Sequence, residues 1–315
     1  MGATSQPLRI GYLSTLYHTS FLLRGTRLLE ERGIQATWKL FPSGPDLVNA
    51  MQAGELDLGY IGLPPVIIGR GRGIPLKCIA GGHIEGTVMI AGRDTRPLAA
   101  YPGMPEFLAQ FAGRAIGTPP RGSIHDVIVN ELFREHGITD IRVKNYPWAD
   151  FLPDALREGE IAAAAGTPAL AVAARRYGAA ELVVPPDRLW PFNPSYGIVV
   201  MEDQLHREDL LLGFLASHEA ACQMIRRDPR SAASVVARTT GMVDEEFVLE
   251  AYHISPKYCA SLPGEYVAST MKFVSTLVSL GYISSPVTRE DLFNTSLIRR
   301  VHPGFDHYNA GISME

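Results

Sequence analysis

The chain has 315 residues, of which 46% are hydrophobic and 20% are charged, an ordinary balance for a folded protein. At roughly 100–200 residues per domain, this length predicts two domains, or one domain with two lobes. A formal net charge of −4 argues against a nucleic-acid partner, because binding a polyanion requires a basic face.

The N-terminal residues show neither a charged start nor an apolar stretch, so no secretion signal is visible there. Two locations stay open. The protein is periplasmic, or extracellular and membrane-anchored, if a signal was removed, and cytoplasmic if this start is native. The chain also lacks a run of about 18 apolar residues, so no transmembrane helix is expected.

The first half of the chain alternates short apolar segments with amphipathic ones. This alternation predicts strands at 8–13, 36–41 and 56–61, a helix at 21–31, and a helix that Ser43 caps and that ends before Gly54. Strands that alternate with helices indicate parallel pairing through right-handed crossovers.

An internal duplication is the most informative feature of the sequence. Residues 41–64 (FPSGPDLVNAMQAGELDLGYIGLP) and 146–168 (YPWADFLPDALREGEIAAAAGTP) share their spacing. In both copies a proline lies twelve positions before a Gly-Glu pair, and an apolar strand is followed by Gly-x-Pro. The sequence therefore predicts two α/β units of similar plan, about 105 residues apart.

The last third of the chain has a different pattern. Residues 196–201 resemble one more strand, which returns the chain to the first unit. Mostly helical segments follow, at 210–226, 231–239, 245–253, 264–280 and 289–301. We therefore predict one lobe from residues 1–95 plus 198–315 and a second lobe from residues 96–197, with a helical cover.

Two facing α/β lobes create a cleft. In open α/β sheets, ligands bind beyond the carboxyl ends of the strands, and both lobes would present those ends to the same cleft. Helix N-termini there carry free N–H groups and partial positive charge, which suit an anion or a polar acceptor. Hinge closure would then trap a small molecule.

Two segments carry a family resemblance. The run AGELDLGYIGLPPVIIGRGRGIPLKCIAG at 53–81 resembles the substrate-binding proteins of ABC transporters for nitrate, sulfonates, taurine and thiamine pyrimidines. The element PRGSIHD at 120–126 is similar to the Gly-Ser loop of that family. The resemblance implies an α/β, two-lobed periplasmic binding protein of type II (a Venus flytrap) with a helical C-terminal segment.

The same resemblance implies a function without chemistry. A monomeric protein would hold a small organic anion, or a sulfonate- or pyrimidine-type ligand, and deliver it to an ABC permease in the membrane. No catalytic residue and no cofactor are expected.

The start of the second-lobe helix supplies the first candidate ligand contacts. Gly122 lets the backbone approach a ligand, and Ser123 caps the helix or donates a hydrogen bond. Arg121 would make a bidentate contact with a carboxylate or sulfonate. The matching positions in the first lobe are Ser43 and Gly44. For both pairs, plain helix capping is the alternative interpretation.

The turns that follow the third strand of each unit are further candidates. Gly62 and Pro64 follow this strand in the first unit, and Thr167 follows it in the second. A tight strand-to-helix turn explains these residues equally well. The turns nevertheless face the predicted cleft.

Loop residues complete the candidate set. Ser14, Thr15, Tyr17 and His18 follow the first strand and would line the pocket, although ordinary surface-loop chemistry also explains them. His83 follows a later strand and lies near the cleft in the resembled family.

Aromatic and crossover residues add two more candidates. Trp148 would stack on a planar ligand, although core packing explains most aromatic residues. Asn193 marks the second crossover.

An enzymatic alternative stays open at this point. Cytoplasmic proteins of the same fold act in thiamine-pyrimidine formation and in the menaquinone pathway, and a cleft histidine such as His83 or His18 would serve as base. Metal binding is not expected, because His302 and His307 are five positions apart and are interpreted as part of a turn. The cysteines are expected to be buried free thiols.

Overall fold

A computed structural model describes residues 6–178 and 180–313. Residues 1–5, which belong to the segment inspected for a signal, lie outside this part. The strands are β1 Leu8–Leu13, β2 Ala36–Phe41, β3 Leu58–Ile61, β4 Leu76–Ile84, β5 Val88–Gly92, β6 Ala115–Thr118, β7 Arg142–Asn145, β8 Ala163–Gly166, β9 Ala180–Val184 and β10 Pro194–Met201.

The helices lie between and after these strands. They are α1 Ser20–Gly25, α2 Gly44–Gln52, α3 Leu63–Gly71, α4 Met104–Ala109, α5 Ile124–Glu135, α6 Leu152–Arg157, α7 Pro168–Tyr177, α8 Pro186–Leu189, α9 Glu208–Arg227, α10 Pro229–Thr240, α11 Glu245–Ile254, α12 Gly264–Ser279, α13 Arg289–Leu292 and α14 Ser296–Val301. Short 3-10 turns occupy Glu30–Arg32, Leu98–Ala100, Ala149–Phe151, Glu202–His206 and Tyr308–Ala310.

Two five-stranded sheets have the same plan. Their strand orders are β2-β1-β3-β10-β4 and β7-β6-β8-β5-β9. In each sheet the first three strands are parallel, and the fourth is antiparallel to both of its neighbours. Each sheet therefore receives its antiparallel fourth strand from a chain segment that crosses over from the other sheet. The predicted parallel pairing holds for three strands of each sheet.

The crossovers lie slightly earlier than the predicted lobe boundaries. Because β5 pairs with β8 and β9, the chain enters the second sheet at Val88, a few residues before the boundary predicted at 95. Because β10 pairs with β3 and β4, it has returned to the first sheet by Pro194, before the boundary predicted at 197. The crossovers are therefore residues 85–87 and 185–193.

Side-chain pairs confirm the duplication in three dimensions. Lys39 Nζ lies 2.5 Å from the carboxylate of Glu55, and Lys144 Nζ lies 2.5 Å from that of Glu160, at positions 105 residues later. In both units a glycine with positive φ follows the helix, at φ values of +72° and +74°. These glycines reverse the chain so that the next strand can pair.

Two predicted helices are interrupted. The helix expected at 21–31 ends at Gly25, because Thr26 is extended and its hydroxyl donates to the carbonyl of Leu22 at 2.7 Å. The helix expected at 289–301 is two short helices, because the backbone N–H of Asn294 donates to the carbonyl of Cys78 in β4 at 3.0 Å. A long-range hydrogen bond there replaces a helical one.

The C-terminal helices cover the first sheet and reach the second. Arg176 on α7 forms ion pairs with Glu250 on α11 at 2.6 Å and with Asp244 at 3.0 Å. The rings of Trp190 and Phe273 stack 3.9 Å apart at 7°. The helical cover therefore ties the two sheets together.

None of the described helices is both long and apolar enough to cross a bilayer. The cysteines Cys78, Cys222 and Cys259 are buried and free, as predicted.

Candidate functional site

A partly open cavity of about 60 Å³ lies between the two sheets. One buried water needs about 10–15 Å³ of such space, so this cavity holds about four to six waters. Its polar side chains are Ser14, Thr15, Tyr17, His18, Ser43, Ser123, His125, Thr167 and Ser195. Its remaining walls are Leu13, Pro42, Gly44, Gly62, Pro65, Pro119, Ile124 and Ala149. The cavity is sized for a compact ligand, or for the head group of a longer one.

Four helix N-termini converge on this cavity. Ser43, Ser123 and Thr167 cap α2, α5 and α7, and each side-chain oxygen accepts from the backbone N–H three residues later at 3.3 Å. Gly62 occupies the same N-cap position before α3, but it has no side chain to accept a hydrogen bond. The capped helices are long enough for their dipoles to matter, and their positive ends favour a negatively charged ligand.

Charged side chains are missing from the described lining of the cavity. Any ligand charge would therefore be balanced by helix dipoles and by neutral donors, including hydroxyls and two imidazoles. Asp46 and Asp126 lie in the first turns of α2 and α5 and offset part of their dipoles, but the first turns of α3 and α7 carry no acidic residue, so a cation would face those two positive ends. The electrostatics of the cavity favour anions.

The loop after β1 supplies unpaired polar atoms. His18 is 2% exposed and its Nδ1 has no hydrogen-bond partner, nor does Oγ1 of Thr15. Burial lowers the pKa of His18 well below its ordinary value, so the ring is neutral. Tyr17 packs edge-on against this ring at 4.8 Å. Buried polar atoms without a partner are costly, so a ligand that pairs with them gains affinity.

His125 and Ser195 also line the cavity, and sequence reasoning missed both. His125 lies two residues after the cap Ser123, and its Nδ1 is 3.0 Å from the hydroxyl of Thr87. Burial lowers the pKa of His125 to about 4, so this imidazole is neutral as well. Its position in the first turn of α5 was a usable signal. Ser195 carried no local signal.

His83 lies outside the cavity lining and has a structural role. It is fully buried within β4. Its Nε2 lies 2.7 Å from the carbonyl of Ser255, and its Nδ1 lies 3.0 Å from the hydroxyl of Ser195. The same hydroxyl accepts from the backbone N–H of Gly86 at 2.5 Å. His83 therefore connects the end of β4 to the start of β10 and to the end of α11.

Arg121 and Gly122 are not brought to the cavity. Gly122 has a φ of +83°, and its N–H donates to Asp126 at 2.8 Å. Arg121 is exposed, and its guanidinium carbon lies 5.1 Å from the centroid of the Tyr282 ring. The turn at Gly122 carries the arginine to an outer groove, where it stacks on an aromatic ring instead of facing the cleft.

Three further candidates lie next to the cavity without lining it. Pro64 is buried in the first turn of α3 while Pro65 faces the cavity, and Trp148 is half-buried while Ala149 faces it. Asn193 is fully buried in the second crossover, where its carbonyl accepts from the N–H of Glu85 at 2.7 Å.

The two cavity histidines suit hydrogen bonding better than proton abstraction. A general base works best with a pKa near the operating pH, and burial lowers the pKa of both His18 and His125. His83, the other candidate base, has both ring nitrogens hydrogen-bonded, to Ser195 and Ser255, and burial lowers its pKa to about 3. The two cavity imidazoles are therefore placed to hydrogen-bond to a ligand.

Comparisons with known proteins agree with this geometry. The family model described as the NMT1-like family matches residues 2–240. A candidate binding protein of Brucella abortus (strain 2308) is 39% identical over 62 residues, which cover 19% of this chain and 19% of that protein. The similarity to this relative therefore covers about a fifth of either protein.

Solved structures show the same fold over most of the chain. The ligand-binding component of an ABC-type import system from Staphylococcus aureus, with zinc bound, has a TM-score of 0.79 at 16% identity, covering 95% of this chain and 100% of that one. The alkanesulfonate-binding protein of Xanthomonas axonopodis pv. citri, bound to MOPS, has a TM-score of 0.78 at 18% identity, covering 94% and 100%. The nitrate-binding protein of Synechocystis PCC 6803 has a TM-score of 0.78 at 11% identity, covering 99% and 92%. At these identities the likeness shows the fold: the predicted two-lobed, type II periplasmic binding fold is confirmed.

Proposed function

The chain belongs to the NMT1-like family, and from that premise we propose that it is the solute-binding component of an ABC importer, which traps a compact organic anion between its two lobes. In this proposal it works in the periplasm or at the outer face of a membrane and hands its ligand to a permease. It performs no chemistry on that ligand.

The convergence of four helix N-termini on one small cavity is the observation that carries this proposal. A sulfonate offers three acceptor oxygens, which suit the hydroxyls of Ser123 and Thr167 at two of these N-termini, whereas the hydroxyl of Ser43 already donates to Asp46 at 2.5 Å. The similar structures include an alkanesulfonate-binding protein bound to MOPS, itself a sulfonate, and a nitrate-binding protein, and both ligands are anions.

Other ligand classes fit less well. The hypothesis of a pyrimidine ligand depends on aromatic stacking by Trp148, but Trp148 lies outside the cavity lining. The zinc of the Staphylococcus aureus neighbour is a cation, and the helix dipoles around this cavity disfavour one.

Contacts across the cleft support closure around the ligand. The hydroxyl of Tyr282, in the C-terminal part, donates to Asp126 on α5 of the second lobe at 2.6 Å. Gly62 of the first lobe approaches Ile124 of the second so closely that an added Cβ would lie 3.4 Å from its Cβ. Opening would separate these contacts about the crossovers at 85–87 and 185–193, which are the natural hinges.

A thermal-shift and calorimetric screen tests the proposal. Purified protein would be titrated with MOPS, short alkanesulfonates, nitrate and a pyrimidine. A ligand that binds only the folded state raises the melting temperature in proportion to the logarithm of its concentration. We expect a shift with sulfonates and little or none with the pyrimidine.

Variants locate the binding. Because a hydrogen bond to a charged group is worth about 1.5–3 kcal/mol, T167A should weaken sulfonate binding about 10- to 100-fold. R121A is the matched control, since its side chain lies outside the cavity. If R121A abolished binding while T167A left it unchanged, or if only the pyrimidine bound, the proposal would be wrong.

A further inference from the structure

A second cluster of ligand-type side chains lies away from the cleft. Cys259, His302, His307 and Glu219 each present one atom, and these four atoms lie within 4.8 Å of one another. They come from three separate places: helix α9, the segment that follows α11, and the C-terminal stretch after α14. This convergence explains why the spacing of His302 and His307 alone showed no metal motif.

The distances match a tetrahedral zinc site. Cys259 Sγ lies 3.5 Å from Nε2 of His302 and 3.8 Å from Nδ1 of His307, and the two nitrogens are 3.0 Å apart. With Zn–N near 2.05 Å and Zn–S near 2.3 Å, tetrahedral edges are about 3.6 Å for S–N and about 3.4 Å for N–N. The three atoms therefore already form one face of such a tetrahedron to within about 0.4 Å.

Glu219 is placed to complete the set. Its Oε1 is 4.0 Å from Nε2 of His302, so the carboxylate must approach by about 0.7 Å to reach a tetrahedral N–O edge. The same carboxylate pairs with Arg226 at 2.7 Å and accepts from the N–H of Ala260 at 2.9 Å. These bonds orient it and form an outer shell.

Charge and access also suit a divalent cation. A thiolate and a carboxylate outweigh the single positive charge of Arg226, so the cluster with its thiol ionised is net negative. A surface groove of about 870 Å³ is lined by Glu219, His302 and His307 and leads to the cluster from solvent. Mixed sulfur and imidazole ligands in tetrahedral geometry select zinc over calcium or magnesium.

We propose that Cys259, His302, His307 and Glu219 bind one Zn²⁺ ion at a site separate from the cleft. On binding, the thiol of Cys259 releases its proton to solvent and the thiolate sulfur bonds to the metal. The two neutral imidazoles donate lone pairs from Nε2 of His302 and Nδ1 of His307. This proposal does not depend on the identity of the cleft ligand.

The ion would fasten the C-terminal stretch to the body of the protein. That stretch is already held by a bond from the Tyr308 hydroxyl to the carbonyl of Ser261 at 3.0 Å. The segment around Cys259 pairs with the end of β4, where the N–H of Cys259 donates to Gly82 at 3.2 Å. Zinc would therefore stabilise the chain next to the first crossover.

Cobalt titration of the full-length, EDTA-treated protein tests the site. Co²⁺ substitutes for Zn²⁺ and gives a thiolate-to-metal charge-transfer band in the near ultraviolet when cysteine is a ligand. We expect this band at one equivalent, displaced by ZnCl₂, together with a rise in melting temperature on zinc addition. The band should disappear in C259S.

H307N keeps the test decisive if C259S does not fold, because His307 is exposed and its replacement leaves the core intact. Losing a ligand should weaken zinc binding at least about 100-fold, since outer-shell partners alone contribute about 10- to 100-fold. H253N, at another exposed histidine, is the matched control and should bind zinc like the wild type. The proposal is overturned if the wild type shows no charge-transfer band, or if H307N binds zinc as tightly as H253N, which would place the metal elsewhere.

Discussion

Replacing Ser195 with alanine tests how the start of β10 is joined to the first crossover and to β4. Its hydroxyl accepts from the N–H of Gly86 in the first crossover at 2.5 Å and lies 3.0 Å from Nδ1 of His83. All three groups are buried, so S195A leaves a backbone N–H and a ring nitrogen without partners. A buried polar group left unpaired costs about 1–3 kcal/mol, and two of them predict a loss of about 2–6 kcal/mol.

Urea unfolding followed by circular dichroism measures this loss in the absence of ligand. S275A is the matched control, because its hydroxyl lies on the exposed face of α12 and bonds only to the carbonyl of Lys272 at 2.9 Å. We expect S275A to stay within about 0.5 kcal/mol of the wild type. If S195A were as stable as S275A, the Ser195 hydroxyl would not stabilise the junction of β10 with Gly86 and His83.

Three further predictions concern closure, a buried carboxylate and acid stability. Y282F removes the hydrogen bond to α5 and should weaken binding of a cleft ligand about 10-fold by calorimetry; unchanged affinity would show that this bond does not hold the closed form. D57N should lower the free energy of unfolding by about 2 kcal/mol in urea, because the Asp57 carboxylate accepts from Arg9 at 2.7 Å; a change below about 0.5 kcal/mol would contradict this. Burial lowers the pKa of His218 from 6.5 to about 4, so as the pH falls the unfolded chain takes up a proton before the folded protein does. The stability that this difference provides is complete above about pH 6.5 and is lost as the pH falls toward 4, by up to about 1.4 kcal/mol per pH unit. H218N should reduce the slope of the unfolding free energy against pH between about pH 7 and pH 5 without abolishing it, because His18, His83 and His125 also have pKa values lowered by burial, whereas H253N should leave the slope unchanged.

The fold was largely predictable because the residues that end its helices can be recognised from the local sequence. Gly54 and Gly159 have positive φ and follow helices α2 and α6, so the repeated spacing of the sequence reflects a repeated backbone conformation. Ser43 and Ser123 were predicted as candidate helix caps and Thr167 as a residue of the strand-to-helix turn, and all three line the cavity.

Other site features depend on partners that are distant in sequence. Arg121 was expected to hold an anion, but it lies over Tyr282, which is 161 positions away. His83 was expected near the ligand, but its bonds to Ser195 and Ser255 come from chain segments more than 100 positions later. No pattern around either residue could have shown these contacts.

The zinc cluster illustrates the same limit. Its ligands lie at positions 219, 259, 302 and 307, with spacings unlike any short metal motif. Only the packing of the C-terminal stretch against α9 brings them together.

A crystal structure of the protein with its tightest-binding sulfonate tests the central claim most directly. We predict the sulfonate oxygens in the cavity between the sheets, within hydrogen-bond distance of the N-termini of α5 and α7 and of His18. A sulfonate bound in the outer groove beside Arg121, with the cavity between the lobes left without it, would contradict the account.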